Sequence, residues 1–328
     1  MVVLGIESTA HTASVGIVGE NAEVLGLASD MYRPPTGGIH PRDAANHHVE
    51  VFPGLIERAL AAARVSPKEI EAVAFAQGPG LGPCLRTGAT VARTLALLWR
   101  RPLVPVNHCV AHIEIARVLS GLDDPVLLYA SGGNTQVIAY GSGRYRVLGE
   151  TLDVGIGNFL DKLWISLGGQ FPGGPAIEKA ALEGVELLPL PYSVHGMDVA
   201  FSGMLTASQV LHARGASRED LAYSVEVTAY SMLTEITERA LAHRKKESVV
   251  LGGGVACNER LRTMVRSMAE SRAKRSFAPP KSLCVDNGAM IAWTGLLAFR
   301  AGVTVPIADS VVQPRQRTDL VATPWRSG

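Results

Sequence analysis

The chain has 328 residues, of which 47% are apolar and 19% charged, and a formal net charge of +1. This composition excludes a disordered chain and suits one large or two medium globular domains with filled cores. It also excludes a sequence-wide basic surface, so an RNA substrate would have to be held by a local patch or by partner subunits.

Residues 2–18, VVLGIESTAHTASVGIV, read as a strand, a small polar turn and a second strand. No basic leader precedes this strand and no apolar run approaches membrane-spanning length, so a chain that does not enter a membrane is expected. Residues 43–63 read as a helix interrupted at Pro53, followed by a buried strand in EAVAFAQGPG, a helix over 85–98 and a short strand, PLVPV, that runs into His108. The turn-rich SGLDDP at 120–125 marks the expected boundary between an N-terminal lobe of residues 1–124 and a C-terminal lobe of residues 125–328. The opening pattern then recurs as PVLLYASGGNTQVIAYG at 125–141. Helices are expected over 158–167, 175–182, 221–243 and 259–270, with the strand SVVLGGG between the last two. The final strong helix, 287–299, is expected to pack back near the cleft between the lobes. Strand and helix alternate, so the class is α/β. A doubled βββαβα-like unit with a glycine-rich hairpin at the start of each half resembles the actin, sugar kinase and heat-shock chaperone ATPase fold. In that architecture the two turns face each other across a nucleotide cleft.

The four cysteines, Cys84, Cys109, Cys257 and Cys284, have no paired spacing that suggests a zinc knuckle or a disulfide framework, which suits a reducing cytoplasm. Basic runs at Arg100 and Arg101, at Arg244 to Lys246 and at Arg272 to Arg275 read either as solvated helix ends or as local RNA contacts.

VNHCVAHIEIAR puts His108 and His112 four residues apart, so on a helix their Cβ atoms lie about 5–6 Å apart on one face and the two imidazoles can chelate one metal. The alternative is a pair of buried histidines satisfied by backbone carbonyls. Position at the mouth of a sheet favours the metal. A zinc peptidase is a weak rival, because Cys109, Val110 and Ala111 leave no glutamate between the histidines. A third ligand is sought in Asp286 of CVDNGAMIAW, although Asp286 or Asn287 would also serve to cap the following helix. Two histidines and a carboxylate suit Fe(II) or a related divalent ion, with Tyr129 able to add a phenolate, and spacing does not choose among iron, zinc and magnesium. In YASGGNTQ, Ser131, Gly132, Gly133 and their neighbours form either a plain hairpin turn or a turn whose N–H groups meet phosphate. Asp161 is placed to accept ribose hydroxyls or to favour a helix dipole. Gly174 and Glu178 in PGGPAIEKAALEG, and Asn258 in GGGVACNERLR, are further cleft candidates beside ordinary capping roles.

GIESTAHT, FAQGPGLGPCLR, VNHCVAHIEIAR, YASGGNTQVIAY, GETLDVGIGNFLDK, FPGGPAIE, LPYSVHGMDVAFSG, GGGVACN and VDNGAMIAW, in this order, resemble the archaeal and eukaryotic-type tRNA threonylcarbamoyladenosine synthases, catalytic subunit of the KEOPS complex and once misnamed O-sialoglycoprotein endopeptidase. MYRPPTGGIHPRDAANHH belongs to the same set, and nearly the whole chain is covered. The resemblance implies transfer of a threonylcarbamoyl group from threonylcarbamoyl-AMP to the tRNA adenosine 3′ of the anticodon, with release of AMP. It implies His108, His112, Tyr129 and Asp286 as ligands of one divalent metal, Fe(II) favoured over Zn or Mg. Tyr129, Ala130, Ser131, Gly132, Gly133, Asp161, Gly174, Glu178 and Asn258 are implied to hold the adenylate, whether ATP, AMP or threonylcarbamoyl-AMP. No side chain is implied as a covalent nucleophile. The implied partners are tRNA and KEOPS subunits, including a small piD261-type kinase, in the cytoplasm. A small-molecule kinase or a non-enzymatic ATPase of the same fold are the alternatives.

Overall fold

The computed structural model describes residues 1–34 and 37–326; residues 35–36, within the MYRPPTGGIH motif, and 327–328 lie outside the described residues. The first lobe opens with β1 (Val3–Glu7), β2 (Thr12–Val18) and β3 (Val24–Met31), followed by α1 (Pro41–Ala63), β4 (Ala72–Gly78), α2 (Gly82–Trp99), β5 (Leu103–Asn107) and α3 (His108–Ser120). β1, β2 and β3 pair antiparallel, while β4 and β5 add in parallel on the other side, giving the order β3-β2-β1-β4-β5.

The second lobe opens with β6 (Val126–Ala130), β7 (Thr135–Gly141) and β8 (Arg144–Glu150). Five elements follow: α4 (Ile156–Ser166), α5 (Gly173–Ala180), the short pair β9 (Val194–His195) and β10 (Asp198–Val199), and α6 (Ser202–Ala213). Then come α7 (Arg218–Arg244), β11 (Ser248–Gly252), α8 (Glu259–Ser271), β12 (Arg275–Phe277), α9 (Lys281–Cys284) and α10 (Gly288–Arg300). The order β12-β11-β6-β7-β8 repeats the first sheet, with β6 standing where β1 stands and β11 where β4 stands. The duplication expected from the two similar hairpins is therefore a duplication of whole sheets.

Both faces of the first sheet are covered, and its strands alternate accordingly. Leu4, Ile6, Val73 and Phe75 pack with Phe52 and Leu55 of α1 and Ala89 and Ala92 of α2. Their sequence neighbours Val3, Ala72 and Ala74 pack on the other face with Ala289 to Leu296 of α10. A Cβ on Gly5 would lie 2.3 Å from the amide nitrogen of Ala292, and one on Gly16 only 2.2 Å from that of Ala289, so this helix rests directly on the strand backbone. The chain after α10 stays on the same lobe, where Val305 bridges Leu103 and the N–H of Gln313 donates to Gln77 O at 2.7 Å. The first lobe is thus assembled from residues on both sides of the expected 124/125 boundary, and helix 288–300 is part of its core.

α1 runs through Pro53, where the sequence suggests an interruption. The proline deprives the Val49 carbonyl of its partner, but Val49 is 61% exposed and water can take that bond, while Ala45, His48, Phe52, Leu55 and Ala59 keep the buried face intact. No helix of the described residues is long and apolar enough to cross a membrane.

Candidate metal centre and nucleotide cleft

α3 starts at the end of a parallel strand, and its start is fixed by Asn107, whose Oδ1 accepts the N–H of Val110 at 3.1 Å. His108 and His112 therefore lie one turn apart with ring centroids at 4.8 Å. Asp286 and Asn287 divide the two roles that the sequence left open between them. Asn287 caps α10, accepting the N–H of Met290 at 2.9 Å, so the Asp286 carboxylate is free to turn inward. Its Oδ1 stands 3.3 Å from His112 Nε2 and 3.5 Å from His108 Nε2. The three ligand atoms of His108, His112 and Asp286 lie within 4.8 Å of one another. Tyr129, near the end of β6, brings its hydroxyl 2.9 Å from His108 Nε2. Two imidazoles and a phenol from residues 108–129 thus meet a carboxylate 174 residues beyond His112 at one point between the lobes.

The donor set fits a divalent cation. His108 Nδ1 lies 2.9 Å from Oε2 of Glu7, a contact that orients the ring with Nε2 directed at Asp286 and Tyr129. His112 is neutral because burial lowers its pKa, and its Nδ1 has no hydrogen-bond partner among the described residues. Histidines satisfied by backbone carbonyls would not leave such an atom. Burial should also penalise charge on His108 and Asp286. On His108 it is outweighed by the Tyr129 hydroxyl and the carboxylates of Glu7 and Asp286, which raise the imidazole well above its ordinary range. On Asp286 burial is outweighed by the two imidazoles, which hold the carboxyl well below the usual range. The local field favours a positive charge at this point.

The cluster forms the end of a cleft of about 500 Å³ between the two opening hairpins. One wall is the β1–β2 turn with Thr9, Ala10 and His11; the other is the β6–β7 turn with Ser131, Gly132, Gly133 and Asn134, backed by Asn158, Asp161 and Lys162 of α4. The β6–β7 turn is closed by Ser131 N–H donating to Asn134 O at 2.9 Å. The N–H groups of Gly132 and Gly133 donate to nothing among the described residues, which leaves two adjacent amides for an anion. Asp161 lines the same cleft and also accepts the N–H of Gly173 at 2.7 Å. Burial raises its carboxyl against the pull of the Gly173 and Gly174 amides.

The remaining candidates lie elsewhere. Ala130 is buried within β6, and Gly174, Glu178 and Asn258 are not in the cleft wall. Glu178 accepts the N–H of Glu259 at 2.9 Å, and Asn258 caps α8 through Leu261 N–H at 3.1 Å while donating to Glu226, so these positions form a second polar cluster where α5 meets α8. Sequence reasoning passed over Glu7, Thr9, His11 and Lys162. Glu7, Thr9 and His11 stand in the quoted GIESTAHT, and the expectation that the two hairpin turns face each other placed their turn at the cleft without singling out these side chains.

A family described as tRNA N6-adenosine threonylcarbamoyltransferase (TsaD) matches residues 23–293, more than four fifths of the chain. The chain belongs to the tRNA N6-adenosine threonylcarbamoyltransferase family. The protein of that name from Thermococcus kodakarensis is 53% identical over 326 residues, covering 99% of this chain and 100% of its own length. A "Probable bifunctional tRNA threonylcarbamoyladenosine biosynthesis protein" from Thermoplasma volcanium is 52% identical over 325 residues, 99% of this chain but 62% of that protein. The chain therefore spans about three fifths of the length of the bifunctional threonylcarbamoyltransferase relatives that it matches. Solved structures share the two-lobed actin-like ATPase fold; T. kodakarensis HypF superposes with a TM-score of 0.63 at 16% identity, over 90% of this chain and 47% of its own. Tyr129, Ser131 to Gly133, Asp161 and the His108, His112 and Asp286 triad are brought together by the fold beside one cleft, near the carboxyl ends of β5 and β6, where such sheets bind ligands.

Proposed function

We propose that this chain transfers the threonylcarbamoyl group of threonylcarbamoyl-AMP to the exocyclic amine of the tRNA adenosine 3′ of the anticodon, releasing AMP. The observation that carries the reading is the meeting of His108, His112, Asp286 and Tyr129 beside two unpaired turn amides in a chain of this family. His108, His112, Asp286 and Tyr129 would hold one divalent ion, Fe(II) favoured by a donor set of two imidazoles and two oxygens, and this ion supplies positive charge beside the reacting carbonyl and phosphate. The amides of Gly132 and Gly133 hold the phosphate and stabilise charge on the departing AMP. Asp161 accepts ribose hydroxyls at the cleft wall, and the adenosine base extends past that wall towards Gly174 and the separate polar cluster of Glu178 and Asn258. Catalysis then rests on orientation and electrostatics, with no covalent enzyme intermediate.

The chain has no sequence-wide basic excess, so tRNA is gripped by a local patch or by partner subunits. KEOPS subunits, including a piD261-type kinase, are the proposed partners, in the cytoplasm. The "bifunctional" name of longer relatives supports a second activity working beside this one. The test incubates the chain with tRNA, threonine, bicarbonate, ATP, an adenylate-forming enzyme and partner subunits, followed by mass spectrometry of the nucleosides. Threonylcarbamoyladenosine is expected with the wild type and is expected to be lost in the His108→Ala, His112→Ala double variant, together with bound metal. No modified nucleoside from the wild type beside active partners overturns the reading.

A further inference from the structure

Joining the adenosine amine to the carbamoyl carbon forms an N–C bond, breaks the C–O bond to phosphate and sends that electron pair out with AMP. The attacking nitrogen must also lose a proton, and the reading above names no group that takes it. Of the polar side chains on the cleft wall, His108, Tyr129 and Asp286 are committed to the cation site. Asp161 is engaged by the Gly173 amide, the hydroxyls of Thr9 and Ser131 and the amides of Asn134 and Asn158 are not bases, and the Lys162 side chain is a hydrogen-bond donor only.

His11 remains. It stands in the β1–β2 turn, across the cleft from the Gly132–Gly133 amides, and its ring nitrogens make no hydrogen bond among the described residues. Its support is rigid. The N–H of Tyr32 donates to His11 O at 2.8 Å, that of Leu81 to Thr9 O at 2.7 Å, and His48 Nε2 donates to Ala10 O at 3.0 Å. The ring meets Phe171 of the other lobe edge to face, with centroids at 5.6 Å and an interplanar angle of 87°. An imidazole anchored this firmly with both nitrogens uncommitted has the form of a proton acceptor.

We propose that His11 is the base that takes the proton from the adenosine amine as the N–C bond forms. The proposal rests on the transferase reading above. Burial lowers the His11 pKa against the opposing charges of Asp286 and Asp161, so the ring is neutral and able to accept at neutral pH. The other titratable groups around this turn are His48 beneath it and His108 and Lys162 in the shared cleft. The imidazolium formed returns its proton to water once AMP has left.

The experiment measures single-turnover transfer by the complete, metal-loaded complex with threonylcarbamoyl-AMP and tRNA, for wild type, His11→Gln and His11→Gly. His11→Gln is expected to lower the saturating rate by about 100-fold or more, to leave adenylate affinity unchanged and to abolish the acid limb of the pH–rate profile. Added imidazole is expected to restore rate to His11→Gly, which a purely structural role would not allow. An active wild type beside a His11→Gln enzyme of equal rate, or a His11→Gly enzyme that imidazole does not rescue, overturns this proposal alone. An inactive wild type overturns the transferase reading and this proposal with it.

Discussion

A fully buried carboxylate is tolerated at Glu7 because both of its oxygens are used. Oε1 accepts the N–H of Thr9 at 2.6 Å and Oε2 accepts Nδ1–H of His108 at 2.9 Å. The second bond sets the ring plane of an imidazole proposed to ligate a metal, the outer support that such ligands usually need. Glu7→Gln should therefore weaken divalent-metal binding by about 10–100-fold while the fold is kept. Competition between the protein and a chelator for Co(II), followed by absorbance, reads this directly, and unchanged affinity would show that His108 is oriented by packing alone. His108 and His112 were legible as a pair because helical spacing is local. Glu7 was not, since its partner is 101 residues away and an isolated glutamate at a strand end announces nothing. At Asp286 and Asn287 the sequence offered two residues for two roles, and only the hydrogen bond from Met290 N–H to Asn287 decides which one caps α10.

Among the elements, α6 went unseen for a definable reason. Its N-cap residue is Phe201, whose side chain caps nothing, so no local start signal exists. The missing acceptor comes from Asp153, 48 residues earlier, which takes the N–H groups of Phe201 and Ser202 at distances from 2.8 to 3.1 Å. Burial opposes ionisation of Asp153, but the bonds from Ser202, Phe201 and Val154 outweigh it and bring the carboxyl down from 3.8 to about 2. Because the folded-state value is the lower one, this stabilisation is complete above about pH 4 and is lost as pH falls through about 2. Asp153→Asn should cost about 1 kcal/mol at neutral pH, less than a buried charged bond, because the side chain is exposed. The variant should also lose stability less steeply between pH 4 and 2 than the wild type. Denaturant midpoints at several pH values check both, and parallel curves would remove the carboxylate from the account. α1 makes the opposite point. Pro53 is a strong local signal for a break, yet six buried residues and a Val49 carbonyl open to water outweigh it.

On the scale of the whole molecule, the two sheets repeat one strand order, but the lobes are not two consecutive pieces of chain. α10 supplies the second face of the first sheet, so residues 1–124 alone would expose Val3, Ala72, Ala74, Val104 and Val106 to water. A fragment of residues 1–124 should lack cooperative unfolding and bind hydrophobic dyes, and co-expression with residues 281–326 should recover a protected sheet. Amide hydrogen exchange separates the outcomes, since a cooperatively folded 1–124 fragment would contradict this assembly. The duplicated hairpins, the α/β alternation, the histidine pair and the run of family motifs were all readable from sequence, because each depends on residues within about twenty positions of one another. Several arrangements were decided only by the tertiary structure: α10 as the second face of the first sheet rather than merely near the cleft, Glu7 beneath His108, the contact of the His11 ring with Phe171, and the separation of Glu178 and Asn258 from the cleft wall. They join distant segments through burial and backbone contact, and no local periodicity or cap encodes which distant surface will fill a given face.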